Sequence, residues 1–457
     1  MSPNFKMENI DESNGDKTVI IKELINIIEN SINISERIEA LKKLNLNELH
    51  LEKGYIDQEN IFTFFENLLI SDSNEKVREE AAKFIYHNYF NKAVEPLNWV
   101  LHHETSVNTL STVYELLISI ISRLETVVNS DSKAVLVKLT NQMNDVDFEI
   151  GIDELSRIKS LSSYKSNELG AILRNYFAHV YLKRRYWRVK YKIEKCKITE
   201  LDFIFKGLSH LPIAIKELTT LKELILRYNQ INYLPEWLGN LTELEILNIN
   251  INNLIELPLS IGKLTNLKEL LLWKNELRTL PDTIGFLKNL KKLNLRLNQL
   301  ENLPSSFGNL SSLVDLNLHD NKLQYLPESF PMLKNLEILN LSWNNIETLP
   351  QSIGNLNNLK TLDLERNELK VLPNSIGSLS SLEYLNLRDN KLQTLPESLS
   401  KLTNLKVLNI SRNLLQQCPE IILQCPILEE VFLGENNFSI TTDCEEKLNL
   451  KGLSIHF

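Results

Sequence analysis

The chain has 457 residues, which is long enough for two or more domains. It carries 59 acidic against 50 basic residues, a formal net charge of −9 at pH 7. This balance argues against general binding to nucleic acid or to an anionic membrane surface. No run of about 18 apolar residues predicts a membrane span.

The N-terminus is polar and lacks the apolar stretch of a signal peptide. We therefore expect residues 1–16 to form a disordered tail. The same observation predicts a reducing, cytoplasmic compartment for the protein.

Residues 17–163 place apolar side chains at intervals of three and four, with few turn residues, which is typical of α-helices. Ser73 is the expected N-cap of the fourth helix. The better-defined predicted helices are Thr18–Asn30, Ser35–Leu44, Gln58–Ile70, Glu75–Asn91, Lys92–His103 and Val107–Leu124.

The segment Asp72–Ala82, followed by Ala93–Leu97, resembles a HEAT-type repeat. The resemblance extends over about 120 residues and implies antiparallel helix pairs that stack into an α-solenoid. The alternative for this HEAT-like helical domain is a plain helical bundle.

Residues 164–197 are expected to join two domains. A predicted helix over 164–192 ends in the basic segment 183–192, where six of ten residues are Lys or Arg, interleaved with aromatic residues. Such a segment could bind an anionic ligand, either nucleic acid or phosphoinositide. The alternative is an N-terminal cap whose aromatic side chains cover the first coil of the next domain while its cations stay solvated.

The longest pattern in the chain is a repeat of 23 residues without insertions. Each copy reads L-x-x-L-x-L-x-x-N, and most continue x-L-x-x-L-P. The closing asparagines are Asn229, Asn252, Asn275, Asn298, Asn321, Asn344, Asn367, Asn390, Asn413 and Asn436.

This period and spacing predict a leucine-rich repeat solenoid, here over residues 198–436. The leucines should point inward from short parallel strands and stack on the leucines of the next coil. The asparagine should hydrogen-bond to the backbone of adjacent coils, and the Leu-Pro and Ile-Gly steps should turn the chain. Eleven strands are expected, with parallel strands on the concave face.

The ends of the repeat are irregular. Lys206 stands where an asparagine is expected and Lys195 at an inward leucine position, which indicates a capping repeat. Residues 437–457 lack the Leu-Pro turn and should close the other edge. Cys418 and Cys425 occupy leucine positions and are expected to be buried core residues, the alternative being a disulfide-bonded cap.

The consensus, clear in Leu267–Leu290 and Leu359–Leu382, is similar to the cytoplasmic leucine-rich repeats of Ras-suppressor and Scribble/Erbin-type scaffolds, and to those of many prokaryotic proteins. The resemblance covers over half the chain. It implies a fold of α/β leucine-rich repeats that bind protein partners, including small GTPases and phosphatase subunits, on the concave face. This chain departs from those scaffolds in its helical N-terminal domain and in having no visible PDZ domain.

Three rows of side chains should face the concave side of the strands. The central row is mostly Asn and Asp, and these side chains are expected to hydrogen-bond to one another along the sheet. The two following rows vary more, and outward Trp and Arg are typical of interface residues. The predicted partner-binding residues are Tyr228, Trp273, Arg296, His319, Trp343, Arg366 and Arg388.

Signals of enzymes and of cofactors are missing from the sequence. It contains neither a phosphate-binding glycine loop nor a dinucleotide fingerprint, and no Cys or His cluster has metal-ligand spacing. We therefore expect a non-catalytic scaffold in signal transduction, without cofactor or metal, that binds a protein partner such as a small GTPase. Anionic-ligand binding by 183–192 is the alternative function.

Overall fold

The computed structural model describes residues 15–44, 58–126, 130–143, 145–158, 160–438 and 453–456. The expected N-terminal tail and most of the expected C-terminal cap lie outside these ranges. The chain forms two compact units, one from Met1–Val189 and Ile193–Ile198, the other from Lys190–Lys192 and Thr199–Phe457.

The first unit is helical, as its apolar periodicity predicts. Asn74, and not Ser73, caps α4, because its side chain accepts hydrogen bonds from Lys76 N and Val77 N at 3.0 and 3.4 Å. The helices of the described ranges are α1 Gly15–Asn30, α2 Ile34–Lys43, α3 Gln58–Ser71, α4 Glu75–Asn88, α5 Val94–His103, α6 Val107–Thr126, α7 Ser130–Asn141, α8 Val146–Ile158 and α9 Ser166–Arg185.

Aromatic packing and ion pairs hold this unit together. Phe65 on α3 stacks on Phe84 of α4, with ring centroids 3.5 Å apart. Arg78 forms two hydrogen bonds with the Glu104 carboxylate, at 2.8 and 2.9 Å, and both side chains are largely buried. A paired, hydrogen-bonded charge of this kind avoids most of the cost of burial.

The prediction of one helix over 164–192 is wrong. Helix α9 ends at Arg185, and Lys190–Glu194 is a β-strand. Lys195 lies exposed in the turn that follows, with φ +50°, so it does not take an inward position. The next residue, Cys196, is buried and its thiol donates to the carbonyl of Phe148.

The second unit is a solenoid whose sheet runs in chain order from β1 to β13. The predicted eleven repeat strands are present as β2 to β12, flanked by one further strand at each end. They are β1 Lys190–Glu194, β2 Lys197–Asp202, β3 Glu223–Ile225, β4 Ile246–Asn248, β5 Glu269–Leu271, β6 Lys292–Asn294, β7 Asp315–Asn317, β8 Ile338–Asn340, β9 Thr361–Asp363, β10 Tyr384–Asn386, β11 Val407–Asn409, β12 Glu430–Phe432 and β13 Ser454–His456.

Neighbouring repeat strands are parallel and in register at the 23-residue period. Leu316 of β7, for example, pairs with Leu293 of β6 and Leu339 of β8. All three leucines are at most 1% exposed. The inward leucines therefore stack from coil to coil, which is the source of stability in a solenoid.

The closing asparagines satisfy the backbone of two coils at once. Asn344 Nδ2 donates to the carbonyls of Leu318, Leu341 and Ser342 at 3.0, 2.9 and 3.2 Å. Its Oδ1 accepts from Leu323 N at 3.0 Å. Among the described residues Leu323 N has no other partner, and the carbonyls of Leu318 and Leu341 each accept from one further asparagine of the row. An amide side chain stands at this position because it can donate and accept at the same time.

The residue before each asparagine has a left-handed backbone, which is uncommon for residues other than glycine. The row includes β-branched Ile251 at φ +57° and Trp343 at φ +57°. Each costs roughly 1–2 kcal/mol in isolation. Hydrogen bonds to the following coil offset this cost: Ile251 N donates to Trp273 O at 2.7 Å, and Trp343 N to Glu365 O at 2.7 Å.

The two cysteines of the last repeats differ from each other. Cys425 is fully buried and its thiol donates to Leu399 O, so its predicted place in the core is confirmed. Cys418 is only half-buried and is disulfide-bonded. Its interpretation as a core residue is wrong, because the Pro419 turn, with ψ 73°, departs from the extended backbone of most of the earlier prolines.

Candidate functional site

The candidate site is the exit edge of the concave sheet, where the chain leaves each strand. All seven predicted partner-binding residues lie on this edge. Trp343 is 44% exposed and Tyr228 37%, Arg296 is exposed, and Trp273, His319, Arg366 and Arg388 are half-buried. The left-handed backbone at Tyr228, Trp343 and Arg366 aims these side chains away from the strand.

Trp343 is the centre of a preformed cluster. The Arg366 guanidinium lies 3.8 Å from the centroid of its ring, and Arg366 Nε is 3.2 Å from the Asp389 carboxylate. The His319 ring meets Trp343 edge-on, with centroids 6.1 Å apart. The indole is therefore held between two neighbours with one part of its surface open to solvent.

His319 is held in one orientation by a short relay. Ser342 Oγ donates to Asn340 Oδ1 at 2.6 Å, so it accepts from His319 Nδ1 at 2.7 Å. Burial, and then the nearby Arg296 guanidinium, lower the pKa of His319, so the ring is neutral at pH 7. With its proton on Nδ1, this histidine offers Nε2 as a hydrogen-bond acceptor.

Trp273 lies further along the same edge and is less exposed than Trp343. The Arg296 guanidinium is 6.0 Å from the centroid of its ring. Its indole N–H is buried without a hydrogen-bond partner, which is uncommon for a donor of this strength. Trp273 therefore combines a large apolar ring with a buried indole N–H that has no hydrogen-bond partner in the described part of the chain.

Tyr228 and Arg388 lie apart from these two tryptophans. Tyr228 stacks on Phe205, with centroids 4.3 Å apart, and Arg388 Nε is 3.9 Å from Glu365. Phe205 is 69% exposed and was missed by the sequence analysis. The 23-residue register could have found it, because Phe205 precedes Lys206 as Tyr228 precedes Asn229.

The central row does not form the expected ladder along the sheet. Most of its side-chain oxygens accept from the backbone N–H two residues further on, as in Asn317 with His319 N at 3.0 Å and Asn294 with Arg296 N at 3.1 Å. A bond along the sheet occurs where Asn386 Nδ2 donates to Asp363 at 3.0 Å. The row is thus satisfied mainly within each coil, because the chain turns immediately after the strand.

We predict that Asp363→Asn stabilises the repeat unit at neutral pH. Burial raises the pKa of Asp363, so the carboxylate is less favourable in the folded chain than in the unfolded chain. Oδ1 of an asparagine keeps both bonds that Oδ1 accepts, from Glu365 N and Asn386 Nδ2. The substitution loses only the long bond, 3.5 Å, that Oδ2 accepts from Asn340 Nδ2. The free energy of unfolding should increase by about 0.5 kcal/mol at pH values above the raised pKa of Asp363. This gain should disappear as the pH falls below the ordinary pKa of an aspartate. Denaturant titrations at pH 7 and at about pH 3 measure it.

Exposed Asp282 supplies the control for this prediction, because Asp282→Asn should change the free energy of unfolding little at either pH. An equal gain from Asp363→Asn at both pH values would contradict the electrostatic explanation.

The basic segment 183–192 does not form one cationic face. Lys183 pairs with Asp145 at 3.1 Å, Arg184 Nη2 donates to Glu104 O at 2.7 Å, and Lys192 pairs with Glu200 at 2.9 Å. The Arg188 guanidinium lies 4.2 Å from the centroid of the 76% exposed Trp187 ring. Since the segment divides between a helix end and a strand, its cations are directed to different neighbours.

The described residues contain no cluster of three or more His, Cys, Asp or Glu side chains that could hold a metal ion. His102 and His103 each contact the carbonyl four residues earlier on α5, and His102 Nε2 lies 3.0 Å from the Tyr176 hydroxyl. Within the same described ranges, no helix has the length and apolar character needed to cross a membrane.

Comparison with known proteins identifies the repeat. Residues 220–241 and 265–323 match models of the leucine-rich repeat, and residues 332–430 match a model of a leucine-rich repeat region. All three matches lie in the sheet unit, which is therefore a leucine-rich repeat solenoid. Such repeats generally form non-catalytic interaction modules, and no enzyme family is indicated. None of the curated proteins matches the sequence.

Two solved structures are similar to part of this chain, and the first agrees with its fold. A leucine-rich repeat protein of Leptospira interrogans is 40% identical over 56% of this chain and 64% of its own, with a TM-score of 0.53. This chain thus spans less than two thirds of that protein. The leucine-rich repeat ectodomain of the Arabidopsis thaliana receptor kinase GASSHO1/SCHENGEN3, solved with CASPARIAN STRIP INTEGRITY FACTOR 2, is 32% identical over 54% of this chain and 31% of its own, with a TM-score of 0.49.

Proposed function

We propose that this protein is a non-catalytic scaffold that binds a protein partner on the exit edge of its concave sheet. Trp343 is the observation that carries the proposal. Its ring is 44% exposed, yet its position is set by a stacked arginine at 3.8 Å and by a histidine with a fixed tautomer. Exposed tryptophans in a rigid setting contribute most to binding energy, because little conformational entropy is lost on binding.

The rest of the edge supports the same function. Trp273 and Tyr228 add apolar surface, and Arg296 and Arg388 add hydrogen-bond donors, all just after the ends of strands that pair in register. The concave sheet is open along its length, which suits a protein surface better than a small molecule, since small-molecule sites enclose most of their ligand.

The partner class is the finer part of the proposal. The similarity to Ras-suppressor and Scribble-type repeats makes a small GTPase or another signalling regulator the first class to test. We include in the proposal a HEAT-like arrangement of the helical unit, with a role in signal transduction. A cytoplasmic location stays a prediction, and the disulfide at Cys418 weighs against it, because disulfides persist in oxidising compartments.

The experiment removes both tryptophans of the edge. Full-length wild-type protein and the double variant Trp273→Ala, Trp343→Ala are immobilised, and proteins retained from the source organism are identified by mass spectrometry. We expect the double variant to lose the main partner by roughly 1,000-fold in affinity, because each buried aromatic anchor contributes about 2 kcal/mol. Its thermal transition should stay within a few degrees of wild type.

A matched control exists in the same unit. Tyr233 and Tyr325 are 55% and 51% exposed and precede the Leu-Pro turns, away from the concave sheet. The double variant Tyr233→Ala, Tyr325→Ala should retain the partner. If the tryptophan variant retained the partner and the tyrosine variant lost it, the binding site would not lie on the concave edge.

A further inference from the structure

The cations of the exit edge fall into two groups that differ in pairing. In the C-terminal coils each arginine has a carboxylate neighbour: Arg366 has Asp389 at 3.2 Å, Arg388 has Glu365 at 3.9 Å and Arg412 has Glu435 at 2.8 Å. These pairs leave little net charge at that end of the edge.

The N-terminal coils carry a cationic edge, formed by Arg227, Lys274 and Arg296 at the exits of β3, β5 and β6. All three side chains are exposed, and no described carboxylate lies within ion-pair distance of them. Within these coils the two exit rows hold three cations and no acid. The coils are about 4.8 Å apart, so Arg227 and Arg296 are separated by roughly 14 Å.

Apolar surface lies beside these cations. Tyr228 and Trp273 stand between them, and Ile225 and Leu271 of the central row are half-buried next to them. In most other coils the central row carries a hydrogen-bonded Asn or Asp. Two apolar positions of the central row, separated by Asn248 of the coil between them, thus lie beside cations without described carboxylate neighbours in the N-terminal part of the concave face.

The opposite, entry edge of the same coils carries carboxylates as well as lysines such as Lys268 and Lys292. Glu223 and Glu269 lie there, about four residues or ~13 Å along the strand from the cationic edge. A uniformly anionic polymer such as nucleic acid would meet these carboxylates, as would an anionic membrane surface. A peptide can instead place its acidic groups on one side and its apolar groups on the other.

We propose that the cationic edge binds an acidic peptide segment of a partner protein, with carboxylates on Arg227, Lys274 and Arg296 and a large apolar side chain against Trp273 and Leu271. The inference rests on the proposed function and names the chemistry of the partner. Opposite charge at unpaired, exposed cations increases the association rate and selects against basic segments.

The test selects random displayed peptides of about twelve residues, enough to span the edge in extended form, on the full-length protein. We expect the selected peptides to be enriched in Asp and Glu together with Trp, Phe or Leu. One synthetic representative is then titrated by fluorescence anisotropy. The triple variant Arg227→Glu, Lys274→Glu, Arg296→Glu should weaken its binding ~10-fold or more, and raised salt should weaken binding to wild type. Replacing the acids of the peptide by Lys should restore binding to this variant.

A control triple variant changes the net charge equally at three lysines that are exposed and lie in or just after the 3-10 turns, away from the strands: Lys263, Lys288 and Lys334. Reversal of these three lysines to Glu should change the affinity less than about twofold. Circular dichroism of both triple variants verifies that they are folded.

Three results would overturn the inference. Selected peptides without acidic enrichment, but dependent on Trp273 and Trp343, would reject the acidic partner and leave the proposed function standing. Absence of any selected peptide that responds to the cationic edge would reject the edge itself. Tighter binding of heparin or single-stranded DNA than of the acidic peptide, lost in the same triple variant, would assign the edge to polyanions.

Discussion

Replacing Asn344 by alanine should lower the free energy of unfolding of the repeat unit by about 3 kcal/mol. Asn344 is 6% exposed, donates to three carbonyls and accepts from Leu323 N. Alanine leaves Leu323 N without its only partner among the described residues and removes one of the two amide hydrogen bonds to each of the carbonyls of Leu318 and Leu341. Denaturant titration followed by tryptophan fluorescence measures the loss, and faster hydrogen exchange at the Leu323 amide locates it.

The next residue provides a control of the same type. Asn345 is exposed and its side chain makes no hydrogen bond, while its backbone N–H donates to Leu323 O. Asn345→Ala should change the stability by less than about 0.5 kcal/mol. Equal effects of the two substitutions would show that the asparagine row does not hold the coils together.

Replacing Gly262 by alanine should destabilise the repeat unit by about 3 kcal/mol. Here the cause is overpacking, whereas at Asn344 it is the loss of hydrogen bonds. A Cβ at Gly262 would lie 2.5 Å from the carbonyl oxygen of Thr283 and 2.8 Å from Thr283 Cβ, in the next coil. Backbone atoms cannot turn aside as a flexible side chain can, so the two coils must separate. The midpoint of thermal unfolding, measured by circular dichroism, should fall accordingly.

Lys263, which follows Gly262, is exposed in the same 3-10 turn. Lys263→Ala should leave the midpoint nearly unchanged. If Gly262→Ala were as stable as wild type, the coils would not approach as closely as the structure shows, and the glycine would serve only to ease the turn.

Much of the repeat unit follows from periodicity. The 23-residue spacing of Leu and Asn determined the strand register, the buried face and the place of the asparagine amide, because each coil stacks on a nearly identical one. The same register put Trp273, Trp343 and Arg366 on the concave edge. It also made Arg366 and Asp389 neighbours, since they are 23 residues apart.

The exposed fraction of the site residues could not be read from the pattern. Trp273 and Trp343 occupy adjacent rows, yet only Trp343 is exposed, and only its ring carries an arginine in close stacking. The difference depends on the neighbours that each coil supplies, and on the left-handed backbone of one row.

The amino-acid sequence by itself determined the repeat, its register, the helical character of the first unit and the edge where a partner is proposed to bind. Tertiary structure decided the left-handed backbone at residues such as Ile251, the end of α9 at Arg185 and the half-buried position of Cys418. The reason is physical. Local preferences oppose a left-handed isoleucine and do not stop a helix at Arg185, so these features exist because hydrogen bonds and packing from neighbouring strands outweigh them.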